Sequence, residues 1–443
     1  MFWLEDAGAQ ERYPELTSST TADLTIVGGG YLGLWTAVNA KRRNPDQRVV
    51  LLEARSVGWA ASGRNGGFCE ASITHGDENG RARWPDEFDT LRRLGEENLD
   101  GFERDVHELG LECHWERTGT LAVAVEEHQV PWLRGAEHEL DGDAVRSAIR
   151  SPLFLHGALD PKGAALVHPA RLALELARVA SDLGVEIHEH SAVLGIRTNK
   201  AAHKVDVRTA RATVSSGRVV LATNVFRSLL RRNRLMTVPV YDYVLMTEPL
   251  TAQQLASIGW SGRQGLTDLA NQFHYARLTQ DNRILYGGYD AIYHAGRKVR
   301  QGYENRPASF ARLASHFFAT FPQLEDVRFS HRWAGAIDTC TQFTAFYGLT
   351  HRGRVAHAAG FTGLGVGATR FAADVLLDLL SGESTPLTEL EMVRKRPLPF
   401  PPEPVASVGI NLTRWALDRA DHRQGRRNLF LRTLDAVGLG FDS

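Results

Sequence analysis

Cysteine is scarce in this chain: Cys69, Cys113 and Cys340 are the only three in 443 residues. No pair has metal-ligand spacing, and no disulfide framework is implied. Long apolar runs are also missing, the longest falling far short of the ~20 residues that cross a bilayer. Charge of one sign is not in excess either. The formal net charge is −1, so no basic field points to nucleic acid. The opening Met1-Phe2-Trp3-Leu4-Glu5-Asp6 has neither the basic region nor the apolar core of a signal peptide. No Ser/His/Asp or Cys/His set for nucleophilic catalysis stands out. These absences lead to the expectation of a cytoplasmic protein with no nucleic-acid partner and no membrane span. A hydrophobic fraction of 43% and a charged fraction of 23% are those of a globular protein, and the length suggests two domains.

What is present is concentrated between Leu24 and Glu53. A short apolar strand, Leu24-Thr25-Ile26-Val27, runs into Gly28-Gly29-Gly30-Tyr31-Leu32-Gly33. An alanine-bearing helical stretch follows, and then a second apolar strand, Val49-Val50-Leu51-Leu52, which ends in Glu53. Gly28, Gly30 and Gly33 fill the three positions of a dinucleotide fingerprint. The first permits the tight turn, the second lets backbone approach a pyrophosphate, and the third lets helix pack on strand. The helix start offers free N–H groups and the positive end of its dipole to the phosphates. Glu53 lies about 20 residues past Gly33, where an acidic residue accepts ribose hydroxyls. That carboxylate would repel a 2′-phosphate, so NADP is disfavoured. The glycine-rich segment Ala60-Ala61-Ser62-Gly63-Arg64-Asn65-Gly66-Gly67-Phe68 follows directly. It allows backbone to pass close to a large isoalloxazine ring, which favours FAD over NAD; the plainer alternative is a flexible loop.

A late loop, Gly360-Phe361-Thr362-Gly363-Leu364-Gly365, leads through Gly367 into a helix expected from about Ala368. That helix N-terminus would face the pyrimidine end of a flavin, the end that becomes anionic on reduction.

Together the fingerprint, the Ser62–Gly67 loop and the late loop resemble the D-amino-acid oxidase superfamily of flavoproteins. The likeness is greatest to the branch of γ-glutamylputrescine oxidase, glycine oxidase and sarcosine oxidase. Leu166-Val167-His168-Pro169-Ala170-Arg171, Val219-Val220-Leu221-Ala222-Thr223-Asn224 and Arg283-Ile284-Leu285-Tyr286-Gly287-Gly288 resemble further parts of that family. The likeness runs to about Leu380. It implies an α/β fold: a Rossmann-like FAD-binding domain interleaved with a mixed-sheet, α+β substrate domain. Residues 1–84, 165–234 and 345–396 would form the first, residues 85–164 and 235–344 the second, and 397–443 a Pro-rich linker with a helical tail. Beyond the loops already named, the resemblance adds Ala54, Val193, Ala222, Thr223 and Gly335 to the residues expected around FAD.

The implied activity is oxidation of a C–H bond next to an amine nitrogen, with hydride passing to flavin N5 and the imine then hydrolysed. Oxygen or another acceptor would reoxidise the flavin, with an oxidase slightly favoured over a dehydrogenase. Two alternatives stay open: a 2-hydroxy-acid dehydrogenase, which needs a base such as His75 or His274, and a non-catalytic flavin-binding assembly subunit. Sarcosine-oxidase-like relatives tether the ring through a cysteine. The matching stretch here, Arg332-Trp333-Ala334-Gly335-Ala336-Ile337, has none. Some relatives also carry a lysine near the position of Tyr286, where this chain again has none.

The candidate catalytic residues are Arg64, Asn65, Tyr241, Tyr275, Arg277 and Trp333. The aromatics, with Tyr243 and Tyr289, are either strand core or a cage for an amine. Arg277 either pairs with a substrate carboxylate or meets a surface acid. Phe88, Leu91, Leu94, Leu99 and Phe102 share one helical face, and residues 238–246 alternate like a strand. In the tail, Ile410, Leu412, Trp415, Leu417, Leu429, Leu431, Leu434 and Val437 mark one or two helices amid arginines. Packing on the chain itself or on a second copy is expected there, rather than a membrane.

Overall fold

The computed structural model describes residues 1–8, 12–200 and 203–436; Val437 of the expected tail helix lies outside the described residues. The Leu24–Val27 run lies within a strand, Thr20–Val27, at the centre of the first sheet. It pairs in parallel with Val49–Leu52 on one side and with Thr213–Leu221 on the other. Glu186–His188 extends the parallel order outward from Val49–Leu52, and Val355–Ala359 extends it from Thr213–Leu221. Phe346–Thr350 closes that edge antiparallel. Apolar runs buried on both faces suit central parallel strands, and Ile26, Val49, Val50 and Leu51 have no exposed surface. One feature not foreseen is an antiparallel pair, Gly195–Asn199 and Lys204–Arg208, laid onto the first half of Thr213–Leu221.

The ends of three parallel strands are tied where the glycine turn begins. Gly28 N–H donates to Leu52 O and Ala222 N–H to Val27 O, both at 2.9 Å. Gly28 has φ +118°, and a Cβ there would stand 2.4 Å from Ala222 O. A Cβ on Gly33 would stand 1.9 Å from Gly28 O, so the helix Tyr31–Arg43 can lie against its strand only with glycine here. That helix packs between Pro169–Asp182 and Ala368–Ser381. The second matches the helix expected from about Ala368.

The second sheet has nine strands among the described residues. Its long members, Thr237–Thr247 and Phe329–Cys340, pair antiparallel with Asp242 opposite Gly335 and Val244 opposite Trp333. Ile284–Gly288, His274–Leu278, Gly265–Asp268, Thr120–Ala124 and His156–Asp160 continue it. One face packs on the helix Pro307–Thr320 through Phe310, Leu313 and Phe317, which join Tyr241, Tyr243 and Leu245 in one core. The opposite face, carrying Val240, Asp242 and Val244, looks into a cavity. The helix Phe88–Glu108 buries Phe88, Leu91, Leu99 and Phe102 as its spacing requires.

The tail forms helices Val405–Asp421 and Leu429–Ala436 and folds back over the rim of the second sheet. Asp421 accepts N–H bonds from Asn271 N and Nδ2 at 2.9 and 2.6 Å and from Gln272 N at 3.1 Å. Tyr289 Oη donates to Asp418 at 3.1 Å. No helix among the described residues is long and apolar enough to cross a membrane.

Candidate active site

A single cavity of about 1260 Å³ runs from the glycine turn to the tail helices. It exceeds the ~300–1,000 Å³ that holds a drug-sized ligand, leaving room for a dinucleotide and a small substrate. Gly28, Gly30, Tyr31 and Leu32 line its near end. Glu53, 6% exposed, organises that end. Its Oε2 accepts Gly29 N–H at 2.7 Å, while Oε1 accepts Arg55 N–H at 2.8 Å and Trp59 Nε1–H at 2.9 Å. A carboxylate has about four lone-pair sites. The three bonds hold the turn against the second strand and leave one acceptor site for a ribose hydroxyl. Ser62 Oγ accepts Tyr31 N–H, the first of the helix, at 3.0 Å, and a Cβ on Gly30 would stand 2.9 Å from that hydroxyl. Ala54, Val193, Ala222 and Thr223 complete this wall. The backbone spaces and the acceptor thus fit an adenine dinucleotide.

The loop after Glu53 is held by side chains the sequence marked for other work. Asn65 Nδ2 donates to Ala61 O and Ser62 O at 3.0 and 3.1 Å, and its Oδ1 accepts Gly67 N–H at 2.8 Å. Its amide is spent on the shape of the loop. Arg64 lines the cavity, but its Nη1 pairs with Glu304 at 2.5 Å and its Nε donates to Trp59 O. Trp333 packs beneath the loop, its Nε1 donating to Arg64 O at 2.8 Å. Arg277 is 2% exposed. Its Nη1 donates to Val167 O at 2.6 Å and to Gly67 O at 3.2 Å. The guanidinium therefore supports Gly67 from behind instead of facing the cavity or a surface acid. Trp3, in the short helix Phe2–Asp6, adds a bond from its indole to Asn65 O. Ser62, Gly66 and Gly67 line the cavity; Gly63 packs behind them, where a Cβ would stand 2.2 Å from Gly58 O.

Strand parity decides the substrate wall. Tyr241 and Tyr243 point into the helix-side core, donating to Arg300 O and Tyr303 O, so they build no cage in this cavity. Asp242, between them, faces it. Tyr275 also lines the cavity and donates its phenol to Asp242 Oδ2 at 2.5 Å. Burial pushes the Asp242 carboxyl up to about 6 despite that bond. Sequence reading passed Asp242 over; the available signal was a carboxylate inside an otherwise apolar, alternating central strand. His274 lies in a chain between Asp268 Oδ2 at 2.6 Å and His316 Nδ1 at 2.8 Å. His75 lines the cavity, and burial lowers it to about 4.

The late loop closes the far wall through Thr362, Gly363, Leu364 and Gly365, with Gly335 opposite Asp242 on the neighbouring strand. Asp338 anchors this loop, its Oδ2 accepting Gly360 N–H at 2.6 Å. It too was missed, and burial raises its carboxyl to about 6. The loop runs through Gly367 into the helix Ala368–Ser381. Gly360 stands behind the wall against Cys340, whose thiol donates to Thr344 O at 3.1 Å. Burial pushes that thiol up to about 11. None of the three cysteines lines the cavity, and among the described residues no group of three or more His, Cys, Asp or Glu is placed to hold a metal ion.

Two expectations follow from this geometry. Gly30→Val drives a side chain into Ser62 and the phosphate path, and Glu53→Arg removes the acceptor and the turn's anchor. Both variants should purify with little or no flavin, read from the ratio of flavin to protein absorbance; full occupancy in both would refute the assignment. Acid precipitation of the wild-type protein should leave all flavin in the supernatant, because no thiol reaches the cavity. Yellow pellets would show a covalent bond.

Comparison with known proteins agrees with this architecture. Residues 23–379 match the family model described as "FAD dependent oxidoreductase". The chain is 30% identical over 405 residues to gamma-glutamylputrescine oxidoreductase of Escherichia coli (strain K12), covering 86% of this chain and 89% of that protein. It is 27% identical over 409 residues to the probable oxidoreductase OrdL of Haemophilus influenzae, covering 88% and 90%. Among solved structures, glycine oxidase from Geobacillus kaustophilus superposes with a TM-score of 0.68 at 19% identity, over 85% of this chain and 99% of that one. L-proline dehydrogenase from P. horikoshii gives 0.68 at 16% identity, over 85% and 96%. The glycine turn, the Glu53 acceptor and the family match lead to one conclusion: the chain belongs to the FAD-dependent oxidoreductase family of D-amino-acid oxidase type, and FAD is its cofactor.

Proposed function

We propose that this protein oxidises the C–H bond next to the nitrogen of a small amine or amino acid, releasing an imine that water hydrolyses. The observation that carries this reading is the Asp242–Tyr275 pair in the cavity wall. When bound, FAD supplies the two-electron acceptor for such a reaction. The chain's own residues have the task of presenting a neutral amine. An ammonium group has no lone pair to assist C–H cleavage, so it must first lose a proton. The Asp242 carboxylate, raised to about 6 by burial and held by the Tyr275 phenol through Oδ2, is suited to receive that proton. Backbone and apolar side chains of the surrounding wall exclude water and fix the pose. The relative named gamma-glutamylputrescine oxidoreductase supports an amine substrate.

A 2-hydroxy-acid substrate is less well served. His274 is engaged on both ring nitrogens and does not line the cavity. His75 does line it, with its basicity much reduced. Three buried free thiols favour a reducing compartment, and we place the enzyme in the cytoplasm. The cavity's cations are Arg64, Arg227 and Arg414, with no lysine among its lining residues. Arg64 is neutralised by Glu304. Oxygen is the acceptor we favour, a preference that rests on the named oxidases among the structural neighbours.

Anaerobic mixing of the yellow protein with a panel of primary and secondary amines should bleach the flavin band, while 2-hydroxy acids should not. Bleaching by hydroxy acids alone would replace the proposal with the dehydrogenase reading, and bleaching by neither class would favour a non-catalytic flavin carrier. Readmitting air should restore the band within seconds; recovery only with a quinone or dye would assign a dehydrogenase.

A further inference from the structure

The tail helix does more than cover the cavity. Ile410, Thr413, Arg414 and Leu417 from Val405–Asp421 line its mouth, as do Phe430 and Leu434 from the last helix. These mouth residues are apolar apart from Arg414 and Thr413, whose hydroxyl donates to Gly409 O. Among the described residues, no hydrogen bond satisfies the guanidinium of Arg414, and its Nε is sealed from solvent without a partner. The acid nearest to it is Asp290, with Arg414 Nη1 at 3.7 Å from Oδ1, beyond hydrogen-bond length. Asp290 is already engaged: its Oδ2 receives Arg306 at 3.0 Å and Ser309 at 2.7 Å, and its Oδ1 receives Arg312 at 2.8 Å. Two other acids of the helix face this rim. Asp418 is bound by Tyr289, and Asp421 by Asn271 and Gln272. Three guanidiniums thus converge on one carboxylate, and the one that lines the cavity has donors to spare.

We propose that Arg414 is the binding site for a carboxylate carried by the substrate at a distance from its reacting nitrogen. The tail then acts as a specificity lid whose planar fork accepts the far end of an amino-carboxylate. The inference rests on the amine-oxidation reading for the identity of the other end, and it requires only that an anion be held at the tail. Asp242 of the second sheet and Arg414 of the tail helix line the same cavity, so one ligand can meet both. Simple alkyl amines would fit the reacting end but leave the spare donors of Arg414 without an acceptor, so an amine carrying a carboxylate is preferred over one of equal length without it.

The test uses flavin-loaded full-length protein and isothermal titration with glutarate, which has two carboxylates and no oxidisable amine, alongside its neutral diamide. Wild type should bind glutarate and not the diamide. Arg414→Gln should weaken glutarate roughly 10- to 100-fold, as expected for losing a charge-assisted hydrogen bond. Arg414→Lys, which keeps the charge without the fork, should fall between. Flavin absorbance and melting temperature show whether each variant is folded. Equal glutarate affinity in wild type and Arg414→Gln would overturn the proposal by assigning the anion to another cation such as Arg227. Absence of glutarate binding to wild type would overturn it as well. Amine-driven bleaching is read separately: glutarate binding lost in Arg414→Gln while no amine bleaches wild type would keep the anion site and reject the amine chemistry.

Discussion

A buried carboxylate that takes backbone N–H groups is the interaction on which the rest of this structure depends. Glu53 holds the glycine turn by Gly29 N–H and the following loop by Arg55 N–H and Trp59 Nε1–H. Without it the turn would lose its register with the second strand, and the helix Tyr31–Arg43 would lose the start that faces the phosphates. Asp338 repeats the device on the far wall through Gly360 N–H. Each anion is taken out of water, which is costly, and each is repaid by short charge-assisted bonds to backbone. Two loops distant in sequence are thereby held at fixed positions on either side of one cavity.

Asp242 is buried in the same wall and makes a different use of its position. Its partner is the Tyr275 phenol, and burial leaves its affinity for protons poised near neutrality. The strand Thr237–Thr247 separates the two roles of the second sheet by parity alone. Odd positions Tyr241, Tyr243 and Leu245 build the core on the helix side, and even positions Val240, Asp242 and Val244 face the cofactor cavity. A shift of one residue would exchange core for site, and the pairing of Asp242 with Gly335 fixes the register.

Much of the cofactor half was legible in the sequence because its signals are local. The strand, glycine turn, helix, strand and acid lie within 30 consecutive residues, and each glycine has a steric reason that needs no distant partner to be suspected. The substrate half was less legible because its decisive contacts are long-range. Nothing near Arg277 announces that its guanidinium meets Val167 O and Gly67 O, and nothing near Tyr241 says which face of its sheet is core. The alternation of residues 238–246 was visible, but its phase was not. Asn65 and Trp333 were expected among the catalytic residues, while their bonds go to backbone and hold the loop. The tail was recognised as helical; only the fold shows that it carries Arg414 to the cavity mouth.

The most direct test of this account is the pH dependence of flavin reduction by a substrate amine under anaerobic conditions, compared between wild type and Asp242→Asn. With Asp242 receiving the proton of the ammonium group, the wild-type rate should rise as pH increases through about 6, where the carboxyl gives up its own proton. Asp242→Asn should lose that limb and slow reduction by roughly 100-fold or more, within the range of general base catalysis. Reduction of Asp242→Asn at the wild-type rate with an unchanged profile would contradict the account.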